Sequence, residues 1–408
     1  MSINNVIGIL SSPVSSTYMT YLPYLSYLAK PTISLTSMQL CSSKINLLPE
    51  DMIYEIGRFL TRKDFRSLLT TSTKMNHSKY KYQYLDLNEE SSKLFVCDLF
   101  RLKILSKIKY SNKQLSLNFG YSTITDVSML GNVHTLNLSN CSGITDVSML
   151  GKVNTLDLSY CERITDVSML GNVHTLNLHG CHITDVSKLG NIHTLDLSRC
   201  DKIANVSMLG DIHNLNLSCC GKITDVSMLG NVHTLILSWC RQITDVSMLG
   251  KVHNLRLSGC SQLTDVSMFG KVHTLDLAWC DGITDVSMLG NVHTLDLYGC
   301  YGITDVSKLG NVHKLLLARC SQVTDVSMLG NVHTLILSWC IEITDVSMLG
   351  NVHTLDLYGC GKITDVSKLG NVHNLGLAGC LGVTDVSMLG KVNILNLIYC
   401  DVYGSHHN

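Results

Sequence analysis

From about residue 112 to residue 400, apolar and polar positions recur in one fixed order, nearly always every 20 residues. The copy from Val133 to Lys152 shows the pattern. Its apolar positions are Val133, Leu136, Leu138, Cys141, Ile144, Val147 and Leu150. Leu136 and Leu138 alternate with Thr135, Asn137 and Ser139, the period-two pattern of a short half-buried strand. Cys141 and Ile144 turn the chain inward. Asp146 then opens a short helical turn through Leu150, its carboxylate suited to accept orphan backbone N–H groups. Gly151 closes the turn, where a left-handed residue is commonly needed. Each coil is predicted as strand, bend, capped half-helix and bend.

The tetrad Thr-Asp-Val-Ser occurs 13 times, from Thr125 to Thr384, and a fourteenth, degenerate copy reads Ala204-Asn205-Val206-Ser207. The period slips twice, with one residue extra before Ile124 and one missing before Ile183, both in the loop after the strand. One coil cannot bury its apolar side alone, so neighbours must stack into a continuous core. Strand segments centred from Leu115 to Leu395 predict a parallel ladder on the order of 65–70 Å long. All four prolines lie at or before Pro49, so none interrupts it.

This pattern resembles the leucine-rich-repeat family, L-x-x-L-x-L-x-x-C/N-x-x-I/L, over about 112–400. The Cys-x-x-Ile-Thr-Asp stretch is most similar to the cysteine-containing subclass, although these repeats are shorter and lack its second helical segment. The resemblance implies an α/β solenoid of about 14–15 repeats: a parallel β ladder with short 3-10 or helical convex turns, and shallower curvature than the family's horseshoes.

Ahead of the repeats the chain reads differently. Residues 1–45 are rich in Ser, Thr and Tyr, carry only Lys30 and Lys44 as side-chain charges, and are expected to be a disordered leader. The patch Val6 to Leu10 has no basic segment before it and Pro13 follows soon, which makes a poor signal peptide. From Leu47, Pro49 and two acids begin a helix whose Met52, Ile53, Ile56, Phe59 and Leu60 share a face. Phe65, Leu68 and Leu69 form a second apolar set. This segment, 46–87, resembles the F-box: Leu-Pro-x-x-x-Ile-x-x-Ile-x-x-x-Leu, then Lys63-Asp64-Phe65 and Leu68. The family's tryptophan-containing end is missing, since the chain reads Thr71-Ser72-Thr73-Lys74-Met75-Asn76-His77 there.

The resemblance implies a small all-α module. It would bind a SKP-type adaptor of a cullin–RING ubiquitin ligase through Leu48, Pro49, Ile53, Ile56, Leu60, Phe65 and Leu68, while the repeats hold a protein substrate. The alternative is that the same helices merely cap a stand-alone scaffold or inhibitor. Residues 88–111 are expected to be a helical joint and 401–408 a tail. The near-identical repeats and the leader also resemble F-box/repeat proteins of large DNA viruses, which would place the protein in host cytoplasm.

Composition removes other classes. A net charge of −1 provides no field for nucleic acid or anionic membrane, and no apolar run approaches a transmembrane length. The chain is expected to be monomeric outside its complex. Of 17 cysteines, 14 form one column from Cys141 to Cys400, one per coil. Side chains stacked in one column point the same way, poor geometry for bridging, so thiols and a reducing, cytoplasmic setting are expected. Twelve histidines recur from His134 to His373 beside an inward valine or isoleucine, and should lie outward, away from the cysteines. No Cys-x-x-Cys or His-x-x-x-His spacing occurs, so neither metal nor cofactor is expected. The Asp column from Asp126 reads as caps, and no phosphate loop, nucleophile elbow or paired catalytic carboxylates can be picked out, so no enzymatic activity is expected.

Variation marks a candidate binding face. The outward column after the first strand leucine runs from Asn137 and Asp157 through Ile236, Arg256, Leu316 and Ile336. The position before the cysteine holds Tyr160, Arg199, Trp239, Trp279, Arg319, Trp339 and Tyr399, including every tryptophan of the chain. Tryptophan, tyrosine and arginine dominate interface energies. The expected substrate contact is Ile236, Trp239, Trp279, Tyr298, Leu316, Ile336, Trp339 and Tyr358.

Overall fold

The computed structural model describes residues 84–87, 95, 104 and 114–400. The leader, the predicted adaptor-binding residues Leu48 to Leu68, most of the 88–111 joint and the tail lie outside these residues. The chain divides into two compact units, Met1–Leu117 and Asn118–Asn408. The first holds strand Tyr84–Leu87 and all but the last residue of strand Gln114–Asn118, which pair in parallel with Leu85 opposite Leu115 and Leu87 opposite Leu117. Leu87, Phe95, Ile104, Leu115 and Leu117 are buried.

The second unit is the repeat made physical. Three-residue strands run from Thr135–Asn137 to Ile394–Asn396, all parallel and neighbouring in chain order. The register advances by one whole coil, Leu136 pairing with Leu156 and Leu156 with Leu176. The pairing continues beyond each strand, as Leu138 N–H donates to the Asp157 carbonyl at 2.8 Å and Asn140 N–H to the Ser159 carbonyl at 2.8 Å. Even the coil that lacks one residue keeps register, Leu176 opposite Leu195. The deletion is absorbed after Cys181, as the sequence places it.

The half-helix is a single 3-10 turn, Ser148–Leu150 in the reference copy. Its cap stands one residue earlier than a normal N-cap. Val147 occupies the cap position, while Asp146 Oδ1 accepts the Ser148 N–H at 2.9 Å. Asn205 does the same for Ser207 at 3.0 Å, which explains why the degenerate copy still folds. The backbone and side-chain hydrogen bonds from Ser148 hold the Asp146 carboxyl below its usual range.

The expectation for Gly151 is corrected. Its φ of −63° is ordinary right-handed backbone. Glycine is needed because a Cβ there would collide with the Met169 carbonyl oxygen of the next coil. The left-handed residue of each coil lies elsewhere, immediately before the cysteine.

All seven apolar positions of the reference copy are at most 2% exposed. Full burial of each such aliphatic side chain contributes roughly 1.5–3 kcal/mol, so the stacked core outweighs every local term. The cysteines complete it with direction. Cys161 Sγ donates to the Leu138 carbonyl of the preceding coil at 3.1 Å, and the Cys141 N–H reaches that same oxygen at 3.2 Å. Burial pushes the Cys161 thiol up to about 12 and raises the Cys220 thiol as well. On the outside, eleven imidazoles from His174 to His373 stack with neighbouring centroids 4.5–4.8 Å apart.

Candidate interaction face

Three outward positions precede each cysteine turn, and the structure gives them different duties. In the column of Asn137 and Asp157 the side chain is a lock. Asn137 Oδ1 accepts the Ser139 N–H at 2.8 Å, and Asp157 Oδ1 accepts the Ser159 N–H at 2.9 Å. Every Asn or Asp of this column from Asn137 to Asn396 makes the same bond. The sequence reading treats the column as free to vary, and that is corrected here. Its Asn and Asp residues shape the turn, so only Ile236, Arg256, Leu316, Ile336 and Gly376 depart from the framework.

The position before the cysteine is left-handed in every coil from Asn140 to Tyr399, with φ between 57° and 73°. Glycine takes this conformation freely, whereas another L-residue meets a penalty of roughly 1–2 kcal/mol. Five coils use glycine and others hold Tyr160, Trp239, Trp279 or Trp339 instead. Each of these four rings lies across the glycine of the following coil. A Cβ on Gly259 would come within 2.6 Å of the Trp239 ring, and one on Gly299 within 2.7 Å of Trp279. The rings are therefore packed on one side and open on the other: Trp239 is 44% exposed and Trp339 45%. Tyr160 and the three tryptophans are each followed by glycine at this position one coil later, a pairing visible as Trp-Cys followed by Gly-Cys 20 residues on.

Two of the predicted contact residues meet in each of two units. Trp279 and Tyr298 pack edge to face with centroids 4.9 Å apart, and Trp339 and Tyr358 do so at 5.3 Å. Between them Leu316 and Ile336 are direct strand neighbours. Ile236 and Trp239 lie on one coil, separated from the coil of Trp279 by the single coil that carries Arg256. The predicted residues run along consecutive coils of one column system, interrupted only at the coil of Arg256.

The sequence reading missed several partners. The Arg241 guanidinium lies 5.4 Å from the Trp239 ring centroid, and Arg319 lies 6.0 Å from that of Tyr298, within reach of a cation–π attraction. Tyr301 stands edge-on to Trp279 at 6.1 Å. Burial raises Asp276 and Asp296 above the usual carboxylate range, opposed by their backbone bonds and by Arg256 and Lys314 respectively.

A separate polar chain forms nearer the first coils. Ser198 Oγ donates to Asp196 Oδ1 at 2.5 Å and lies 2.6 Å from His179 Nδ1, whose Nε2 is 2.9 Å from the Tyr160 hydroxyl. With the serine hydroxyl proton directed at Asp196, Nδ1–H donates to Ser198 and Nε2 accepts from Tyr160. No periodicity argument could find it, because it depends on His179 replacing the serine usual at that position. Among the described residues, no group of three or more His, Cys, Asp or Glu side chains could hold a metal ion.

No protein-family model matches the chain, and no curated protein matches it. Among solved structures, the chain is similar to an internalin, InlF, from Listeria monocytogenes, with 22% identity over 69% of this chain and 86% of the other, at a TM-score of 0.49. It is also similar to the functional domain of InlJ from Listeria monocytogenes, described as including a cysteine ladder (21% identity, 68% and 70% covered, TM-score 0.42). A third is a leucine-rich-repeat protein from Leptospira interrogans (15% identity, 67% and 86% covered, TM-score 0.42). All three scores fall below 0.5, so the solenoid assignment rests on the register and periodicity described above.

Proposed function

We propose that the solenoid is a protein-binding scaffold whose contact face is the line of aromatic side chains before the cysteines. One observation carries this reading: large rings occupy left-handed positions that glycine would fill at lower cost, and keep one face open. Residues held in sparsely populated backbone regions cluster at functional sites. Loss of the asparagine or aspartate lock at Ile236, Leu316 and Ile336 adds apolar surface beside those rings.

The finer reading is that the chain is the substrate-receptor subunit of an SCF-type cullin–RING ubiquitin ligase, working in the cytoplasm. It is supported by the F-box-like run Leu48, Pro49, Ile53, Ile56, Leu60, Phe65 and Leu68 placed directly ahead of repeats. The alternative is a stand-alone scaffold or inhibitor. A pull-down of purified SKP-type adaptor with the intact chain and with a Pro49→Ala/Ile53→Ala variant separates the two. Adaptor retained by the first and lost by the second, with unchanged circular dichroism, supports the ligase reading. No retention by the intact chain removes it and leaves the scaffold.

A further inference from the structure

The two aromatic units are near copies, and their differences are informative. Both contain a tryptophan before the cysteine, a tyrosine in the next coil and an aspartate two residues before that tyrosine: Trp279, Tyr298 and Asp296 in one, Trp339, Tyr358 and Asp356 in the other. In the first unit the chain supplies its own cations. Arg319, from the following coil, lies over Tyr298, and Lys314 acts on Asp296. In the second, the position equivalent to Arg319 is Gly379 and that equivalent to Lys314 is Asn374. Tyr358 is correspondingly 39% exposed, with its ring edge 3.8 Å from where a Gly379 Cβ would stand.

The carboxylate of the second unit is also placed to receive a partner. Asp356 Oδ1 accepts the Tyr358 N–H at 2.9 Å and Oδ2 accepts the Ser338 hydroxyl at 2.9 Å. An ionised carboxylate has about four acceptor sites, so two hydrogen bonds leave capacity. In its own column the neighbours are Ile336 and Gly376, and in the preceding outward column Thr334, Thr354 and Asn374. Asp356 is the one formal charge on that stretch of described strand face.

We propose that Trp339, Tyr358 and Asp356 form a recognition site for an arginine side chain of the protein partner, with the guanidinium over Tyr358 where Arg319 lies over Tyr298. This rests on the reading of the face as a protein-binding surface and names the chemistry it selects. Arginine fits because its planar cation stacks on an aromatic face while its N–H groups reach a carboxylate. The first unit, already filled from within, would not compete for it.

The test needs no identified partner. In the full chain carrying Trp239→Tyr and Trp279→Tyr, substitutions that copy Tyr160 at the same turn position, Trp339 is the sole tryptophan. Its fluorescence is titrated with acetyl-Gly-Arg-Gly-amide and with the same peptide bearing citrulline, an uncharged isostere. The expected result is a saturable change with the arginine peptide at roughly millimolar concentration, as for a single contact, and none with citrulline. Asp356→Asn, which retains the acceptor for the Tyr358 N–H, should weaken the response at least tenfold. Gly379→Arg, which installs the in-chain cation, should abolish it.

Equal responses to both peptides, no saturable response, or indifference to both substitutions would overturn the proposal. Failure here alongside protein capture that depends on Trp339 overturns this inference alone. An arginine response that persists when no protein is captured supports the site and removes the wider reading.

Discussion

The coils from Asn137 to Asn216 and those from Ile236 to Gly376 share one backbone and one core, yet they use their outer surface differently. In the first run every coil holds an Asn or Asp lock, and the surface groups satisfy one another, as in the chain from Tyr160 through His179 and Ser198 to Asp196. In the second, Ile236, Arg256, Leu316, Ile336 and Gly376 replace the lock, and tryptophans occupy the turn. Framework and recognition are separable here because stability resides in the inward columns, which hardly differ between the runs. A surface can then depart from its own consensus at a local cost of about 1 kcal/mol per coil, the size of one hydrogen bond.

The comparison breaks first if the cores are not equivalent. Leu195→Ala and Leu295→Ala should each destabilise by about 2–5 kcal/mol and by similar amounts, measured as shifts in urea midpoint. A large difference would show that one run is intrinsically weaker. The next effect is on recognition. Trp339→Gly removes packing but relieves the left-handed backbone, so stability should change by less than about 1 kcal/mol, while capture of a protein partner falls sharply. A variant that unfolds instead would make Trp339 a structural residue.

Smaller effects sharpen the contrast. Ile336→Asn restores the lock and should raise stability by about 0.5–1.5 kcal/mol, less the lost burial, while Asp157→Ile should lower it by a similar amount. Opposite signs in chemical denaturation support the trade between lock and contact, and equal signs remove it.

The last prediction spans both runs. Slight desolvation and then the charge of stacked neighbours lower the affinity of His233, His293 and His353 for protons. Their folded-state pKa lies below the unfolded value, so the neutral ladder is fully stabilising above about pH 6.5. That stability is lost as pH falls through the folded-state values. Tm should therefore drop between pH 6.5 and 5, and His293→Asn should reduce the drop. Asparagine is tolerated in this column, as Asn154 and Asn393 show. A Tm that stays flat over that range would remove the effect.

Most of the coil was legible because its signals are local and repeated. Leu136 and Leu138 announce a strand, Asp146 announces a capped turn, and Val133 and Cys141 lie inward as their apolar recurrence in coil after coil implies. What escaped depends on contacts that the apolar pattern does not encode, some within a coil and some between coils. Gly151 suggests a left-handed turn until the Met169 carbonyl is placed against it. Asn137 suggests a freely varying surface until its bond to the Ser139 N–H is known. The aromatic column was found by variation between coils, but its left-handed backbone and the Arg241 contact on Trp239 are not encoded in the apolar pattern, and its glycine partners and the Arg319 contact on Tyr298 reach across the 20-residue period. The predicted adaptor face from Leu48 to Leu68 lies outside the described residues and remains a proposal.

The uniform register has an evolutionary corollary. Because each coil meets its neighbour through the same positions, a whole 20-residue unit can be gained or lost without redesigning any contact. Such an event between Trp279 and Trp339 would move the two aromatic units apart or together by about 4.8 Å and leave each intact. Copy-number change in the gene would then act as a ruler, retuning which partner spacing the protein accepts in discrete steps.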